Sequence, residues 1–287
     1  MAVRVGHIEF LNCYPLYFGL ENRGTLANGR LAGGARTAIE LIPGVPTELN
    51  SMLAQDRIDI GPISSIAYAR DYRRLLLSRR LSISSFGAVD SIQLISKKPW
   101  EQIETVALTS QSATSVVLLK TILKLRFERD VTYTELDGSL AEGLSGCDAV
   151  LLIGDQALDA LYFPEAQTTC YDLGRAWREW TGLPMVYAVW AAREEFARAH
   201  GAELHAVEDE LVTCIDYGRE NAAEVVAGAV GRSRFDTAQL ERYFDVLKYD
   251  FPPLYQEGLR RFYELAHKAG ELDEVPDFRF IDQEVVV

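Results

Sequence analysis

Four times in this chain a short β-rich run breaks directly into the start of a helix, at residues 12–15, 61–65, 109–115 and 154–155. A strand that hands over at once to a helix is the repeating unit of a sheet with parallel strands, so an α/β fold is expected. The first unit runs from Val3, Val5 and Ile8 to Pro15, which suits a first helical turn. Ala38 to Ile42 is a second β-rich run, behind a polar, glycine-rich stretch in which Asn28-Gly29 and Gly33-Gly34 signal a surface loop or hairpin. Thr47 is expected to cap a helix with Leu49, Met52 and Leu53 on one face, leading to a strand Ile58-Asp59-Ile60 that Gly61 and Pro62 break.

Two further runs bracket the middle of the chain: Ser-Ile-Gln-Leu-Ile-Ser at 91–96 and Met-Val-Tyr-Ala-Val-Trp at 185–190. Between them lie a strand at 105–108, a helical run at 116–127 and an apolar strand at 149–153, enough for a sheet with its own helices. From Glu194 onward the pattern is helical, near 203–230, 236–247 and 253–269, with Leu204, Val207, Leu211 and Ile215 at helical spacing. The expected organisation is one discontinuous lobe from 1–90 and 191–287, an inserted lobe from 91–190, and two crossing strands at the ends of the insert.

Composition narrows the function. A chain of 287 residues with 48% hydrophobic side chains has enough material for two cores. A net charge of −13 argues against general nucleic-acid binding, which needs clustered Lys and Arg. Residues 1–10 lack a signal-like apolar stretch and no run of eighteen apolar residues occurs, so a cytoplasmic protein with no membrane partner is expected. Cys13, Cys147, Cys170 and Cys214 form no C-x-x-C pair, which leaves zinc and dithiol chemistry without support. No H-E-x-x-H, P-loop, nucleophile elbow or G-x-G-x-x-G pattern is present, and no histidine lies in the strand-end loops.

Those loops are the expected ligand site, because open α/β sheets bind ligands beyond the carboxyl ends of their strands. The loop 109–115 carries Thr109, Ser110, Ser112, Thr114 and Ser115 beside a helix start, where free N–H groups and the positive dipole end favour an anion such as a carboxylate. One of them, Ser112 or Thr114, could equally be no more than a helix cap. Ser64 and Ser65 repeat the arrangement more weakly. Asn12 can orient a ligand or close a local turn. Asp155 suits a base, a hydroxyl contact or a cap. Trp177, Trp180 and Tyr187 could wall a ring or belong to the core. Cys13 reads as a buried thiol or, less simply, as a nucleophile.

Four segments taken together carry a family resemblance: Val5-Gly6-His7-Ile8-Glu9-Phe10-Leu11-Asn12-Cys13, Asp59-Ile60-Gly61-Pro62, Leu152-Ile153-Gly154-Asp155 and Trp177-Arg178-Glu179-Trp180-Thr181-Gly182-Leu183-Pro184. Over nearly its whole length the chain resembles the chorismate dehydratases of the futalosine route to menaquinone. The resemblance implies a two-lobed fold of the type II periplasmic-binding-protein kind, with the ligand cleft at the lobe interface. It implies removal of water from chorismate to give 3-[(1-carboxyvinyl)oxy]benzoate, with no metal or other cofactor. On that basis Asn12 is expected to hold the substrate near its reacting carbon, Ser112, Thr114 and Ser115 to anchor a carboxylate, and Ser64 and Ser91 to add contacts. The base is either Asp155 or the substrate's own enolpyruvyl carboxylate. The sister 1,4-dihydroxy-6-naphthoate synthases resemble the chain too, but carry Ile-His-Glu where this chain has Ile153-Gly154-Asp155. A non-catalytic solute-binding or ligand-sensing protein of the same fold is the other reading.

Overall fold

Along β1 (Ala2–His7), Val3 and Val5 are buried on either side of a partly exposed Arg4, the period of two that a strand imposes. A single 3-10 turn, Leu11–Cys13, then enters α1 (Tyr14–Asn22), with Pro15 in its first turn as the sequence predicts. This is a computed structural model, and it describes residues 2–23, 26–27, 30–31 and 38–283. The expected hairpin is present as two paired strands, β2 (Leu26–Ala27) and β3 (Arg30–Leu31); Asn28-Gly29 and Gly33-Gly34 lie outside the described residues. β4 (Ala38–Pro43) follows and pairs in parallel with all of β1.

The helix α2 (Pro46–Ala54) corrects the expected cap. It starts one residue before Thr47, with Pro46 in the first turn and the Glu48 carboxylate accepting the Val45 amide at 3.0 Å. β5 (Ile60–Ser64) is a second correction, since Gly61 and Pro62 sit inside the strand rather than ending it. β1 pairs with β5 only at Val5–Ile60, so from Gly61 onward the strand is bonded on one side and tolerates a residue without an N–H. Then come α3 (Ser65–Asp71) and the long β6 (Leu75–Ser85).

The smaller sheet is built from β7 (Ile92–Ser96), β8 (Thr105–Leu108), β9 (Thr132–Glu135), β10 (Ala149–Ile153) and β11 (Thr169–Asp172), in the order β11-β7-β10-β8-β9. Its helices are α4 (Ala113–Leu125), α5 (Leu140–Gly146), α6 (Gly154–Tyr162) and α7 (Leu173–Thr181). The apolar run of β10 is explained by burial on both faces. Val150 and Leu152 pack into a small core with Leu144 and Ala157, from α5 and α6, while Ala149, Leu151 and Ile153 join the main core on the other side.

The chain returns through β12 (Met185–Arg193), and here the structure overturns the expected boundary. The sequence pattern puts β12 at the end of the inserted lobe, yet it is hydrogen-bonded between β5 and β6 in the larger sheet, whose order is β13-β6-β12-β5-β1-β4. Ser85 at the end of β6 pairs with Met185 at the start of β12, so the crossings lie in the segments just beyond these two residues. β7, which begins at Ile92 directly after Ser91, pairs within the smaller sheet. The remaining elements are α8 (Glu194–Ala199), α9 (Gly201–Glu220), α10 (Ala222–Val230), α11 (Thr237–Val246), β13 (Leu247–Lys248) and α12 (Pro253–Ala269). The helix expected at 203–230 is two, broken at Asn221.

Trp177 and Trp190 are fully buried in the main core, which runs across both lobes on the side where α12 packs on α4. Trp177 is structural: its indole N–H donates to the Pro184 carbonyl at 3.0 Å, and Trp180 meets it edge to face. Truncating it to alanine would cost about 3–5 kcal/mol.

Candidate active site

Five strand-to-helix junctions from both sheets meet between the lobes around one shared cavity. Asn12 precedes α1, Pro46 opens α2, Ser64 precedes α3, Ser112 precedes α4 and Gly154 opens α6; all five line the cavity. The first four amides of a helix have no intrahelical acceptor, so such a convergence turns positive dipole ends toward whatever is bound, although the Ser115, Ile66 and Gly154 amides are already taken by Ser112, Thr114 and Ser91.

Of the residues singled out from sequence, Asn12, Ser64, Ser91, Ser112 and Ser115 are brought together in this cavity. The Asn12 Oδ1 is buried and has no hydrogen-bond partner among the described residues, while the Asn12 carbonyl accepts from the Tyr249 hydroxyl at 2.8 Å. Its backbone is therefore fixed and its amide oxygen is free for a ligand. Ser112 is the N-cap of α4: its Oγ accepts the Ser115 amide at 3.3 Å and shares a 2.8 Å hydrogen bond with Ser115 Oγ. Ser64 is held by Asn50, whose Nδ2 donates to its Oγ at 3.2 Å and whose Oδ1 accepts its amide at 2.9 Å.

Thr114 and Asp155 are placed elsewhere. Thr114 is fully buried behind the cavity wall, where its Oγ1 accepts the Ile66 amide at 3.2 Å and lies 3.3 Å from Ser65 Oγ. It locks α4 of the smaller lobe to α3 of the larger one. Asp155 lines a different hollow, between α6 and residues 232–235, and its Oδ1 accepts the Leu11 amide at 3.2 Å. Burial raises the Asp155 carboxyl above its usual 3.8, an effect the Leu11 amide partly offsets.

Other lining residues include Gly154, from the last of the expected strand-end loops, Tyr187, one of the three aromatics read as a ring wall or core, and Phe10 and Val89, which only the fold reveals. Gly154 sits at φ +58°, and a Cβ there would come within 3.2 Å of the Phe10 ring, so glycine is required twice over. The Tyr187 hydroxyl shares a 3.0 Å hydrogen bond with Ser85 Oγ, and burial, with Asp172 nearby, holds the phenol well above its usual range, so it stays neutral. Burial pushes the Cys13 thiol up, which leaves it protonated in the core.

Among the described residues, those lining the cavity include no Lys, Arg, His, Asp or Glu. No group of three or more His, Cys, Asp or Glu among the described residues is placed to hold a metal ion, and no helix among them is long and apolar enough to cross a membrane. The arrangement can therefore bind an anion by hydroxyls and helix amides. Charge-assisted bonds of this kind contribute about 1.5–3 kcal/mol each.

The chain is 37% identical over 169 residues to a chorismate dehydratase of Thermus thermophilus, a match covering 54% of this chain and 62% of that protein. It is 30% identical over 184 residues to a chorismate dehydratase of Campylobacter jejuni, covering 64% of each. The chain thus matches less than two thirds of the length of either relative. In structure it superimposes on the CA3427 gene product of Candida albicans, described as having the generic periplasmic binding protein fold, with a TM-score of 0.72 at 12% identity over 96% of this chain and 92% of that one. That likeness gives the fold, two lobes around a cleft. Residues 3–268 match the family model described as menaquinone biosynthesis, and the chain belongs to that family.

Proposed function

We propose that this protein is a chorismate dehydratase, eliminating water from chorismate to give 3-[(1-carboxyvinyl)oxy]benzoate in the futalosine route to menaquinone, in the cytoplasm. The observation that carries the reading is the unpartnered Asn12 Oδ1, set among serine hydroxyls in an uncharged cavity of a protein of this family. In the elimination one ring C–H and one C–O bond break, a C=C bond forms, and the proton and hydroxide leave as water. Aromatisation drives the reaction, so the protein's task is to hold the ring hydrogen near a base and the hydroxyl in a departing geometry.

In this reading Asn12 Oδ1 accepts from the substrate hydroxyl, and Ser112 and Ser115 anchor a carboxylate at the first turn of α4. Ser64 and Ser91 add contacts from opposite lobes. Thr114 acts from behind, by fixing α4 against α3. Asp155 is engaged with Leu11 outside the cavity, which favours the substrate's own enolpyruvyl carboxylate as the base. The test is to incubate the purified protein with chorismate and follow the enolpyruvyl benzoate by absorbance and mass. Formation of that product is expected; tight binding of chorismate with no product would refute the assignment and leave a solute-binding role.

A further inference from the structure

The first crossing between the lobes contains a strained turn that faces the cavity. Asp90 has φ +59°, a left-handed conformation that is costly for a residue with a Cβ, and the Ser91 amide donates to the Val89 carbonyl at 2.7 Å across it. The two ends of this three-residue γ-type turn, Val89 and Ser91, both line the cavity. Strain of this kind persists only where the surroundings over-determine it. Here they do so from three directions.

The Asp172 carboxylate, at the start of α7, accepts the Asp90 amide at 2.7 Å, the Val89 amide at 3.0 Å and Gln93 Nε2 at 3.0 Å. From the larger lobe Arg242 on α11 grips the buried Asp90 carboxylate with both arms of its fork, Nε at 3.0 Å and Nη2 at 3.3 Å. The Ser91 carbonyl accepts the Gly154 amide at 2.8 Å, which ties the turn to the start of α6. Glycine would adopt this φ without strain, but it would give Arg242 nothing to hold.

We propose that Asp90, Asp172 and Arg242 are positioning residues that set Ser91 against the substrate, with Arg242 coupling that placement to the larger lobe. The inference rests on the reading in which Ser91 contacts chorismate. None of the three lines the cavity; they act through the turn.

A double-mutant cycle tests it, with KM and kcat for chorismate and the melting temperature measured for the parent, Ser91→Ala, Arg242→Ala and the double variant. Loss of one hydrogen bond to the substrate should raise KM about five- to ten-fold in Ser91→Ala. Arg242→Ala should raise KM by a similar factor with little change in kcat. The double variant should fall within about two-fold of Ser91→Ala, because two changes that act through one contact are not additive. Asp90→Gly, which keeps the turn and loses the carboxylate, should match Arg242→Ala in KM without lowering the melting temperature. Multiplying effects in the double variant, or an Arg242→Ala protein that is merely less stable, would overturn the inference while leaving the dehydratase reading intact. An inactive parent, or an unaltered KM in Ser91→Ala, would instead overturn the reading of the site and the inference with it.

Discussion

Replacing Asn12 by alanine should separate function from stability in opposite directions. The Oδ1 atom is buried without a partner among the described residues, and burying such an atom costs about 1–3 kcal/mol. Alanine removes that cost along with the packing of the amide, and it keeps the backbone carbonyl that Tyr249 holds at 2.8 Å, so the turn into α1 should survive. The two contributions nearly cancel, which leaves a net change within about 1 kcal/mol, or roughly 2–4 °C in melting temperature. Without that oxygen the substrate hydroxyl is left without its acceptor in a site shielded from water, which costs about 1–3 kcal/mol, so kcat/KM should fall roughly five- to hundred-fold. The assay is chorismate consumption with product identified by mass, alongside thermal melting of both proteins. Asn12→Asp has the same shape but adds a negative charge facing a dicarboxylate, and it should bind more weakly than the alanine variant. The reasoning is refuted if Asn12→Ala melts many degrees lower and turns over normally, for Asn12 would then be a structural residue.

Asp155→Asn should keep turnover within about three-fold, where loss of a general base would cost about 10²–10⁴-fold. Because burial raises the folded carboxyl above 3.8, its charge weighs against folding at neutral pH; the asparagine protein should melt at the same or a higher temperature near pH 7, and the gap should close as pH falls below 3.8. Asp59→Ala should cost about 3 kcal/mol, measured by urea unfolding, since it removes the buried carboxylate whose Oδ1 both Arg4 and Arg193 hold at 2.7 Å and leaves them their contacts with Asp56. Burial would raise the Asp59 carboxyl, but the hydrogen bonds from these two arginines win and lower it, so the stabilisation is present above 3.8 and should be lost as pH falls through the folded value. With a net charge of −13 and no cation among the described residues lining the cavity, association with the chorismate dianion should speed up as salt is raised, and stopped-flow binding across ionic strengths measures it.

The strand ends were legible because they are local: a β-rich run broken by glycine, proline or hydroxyls needs no tertiary information. That is why Asn12, Ser64, Ser112 and Ser115 could be placed at strand ends before the lobes were assembled, whereas Ser91, at the start of an expected strand, entered only through the family resemblance. Thr114 belongs to the same hydroxyl cluster but points elsewhere, since residues three apart share a helix face and Thr114 lies about 100° around from Ser115. Asp155 follows Gly154 into α6 and is turned away in the same manner. The lobe to which β12 belongs was not legible. Its apolar pattern fits either sheet, and the choice is made by pairing with Ser85 and Ser64, far away in sequence. Val89 and Phe10 were hidden for a different reason, as apolar cavity walls have the composition of core; Tyr187 was offered as a wall or as core, and it lines the cavity.

The joint between Thr114 and the Ser65–Ile66 pair makes the two flanks of the protein unequal. On that flank α3, α4 and α12 are welded by continuous apolar packing. The flank along α6 is fastened mainly by polar clips, Asp155 to the Leu11 amide, Asp159 to Arg234 and the Tyr162 hydroxyl to the Gln239 carbonyl, beside a small aromatic contact of Tyr162 and Phe163 with Phe235. Water competes for clips of this kind and gains little by entering the weld, so the molecule should part like a book with its spine at Thr114 and its fore-edge at α6. Amide exchange would register this as early labelling of residue 11 beside slow labelling of residue 66.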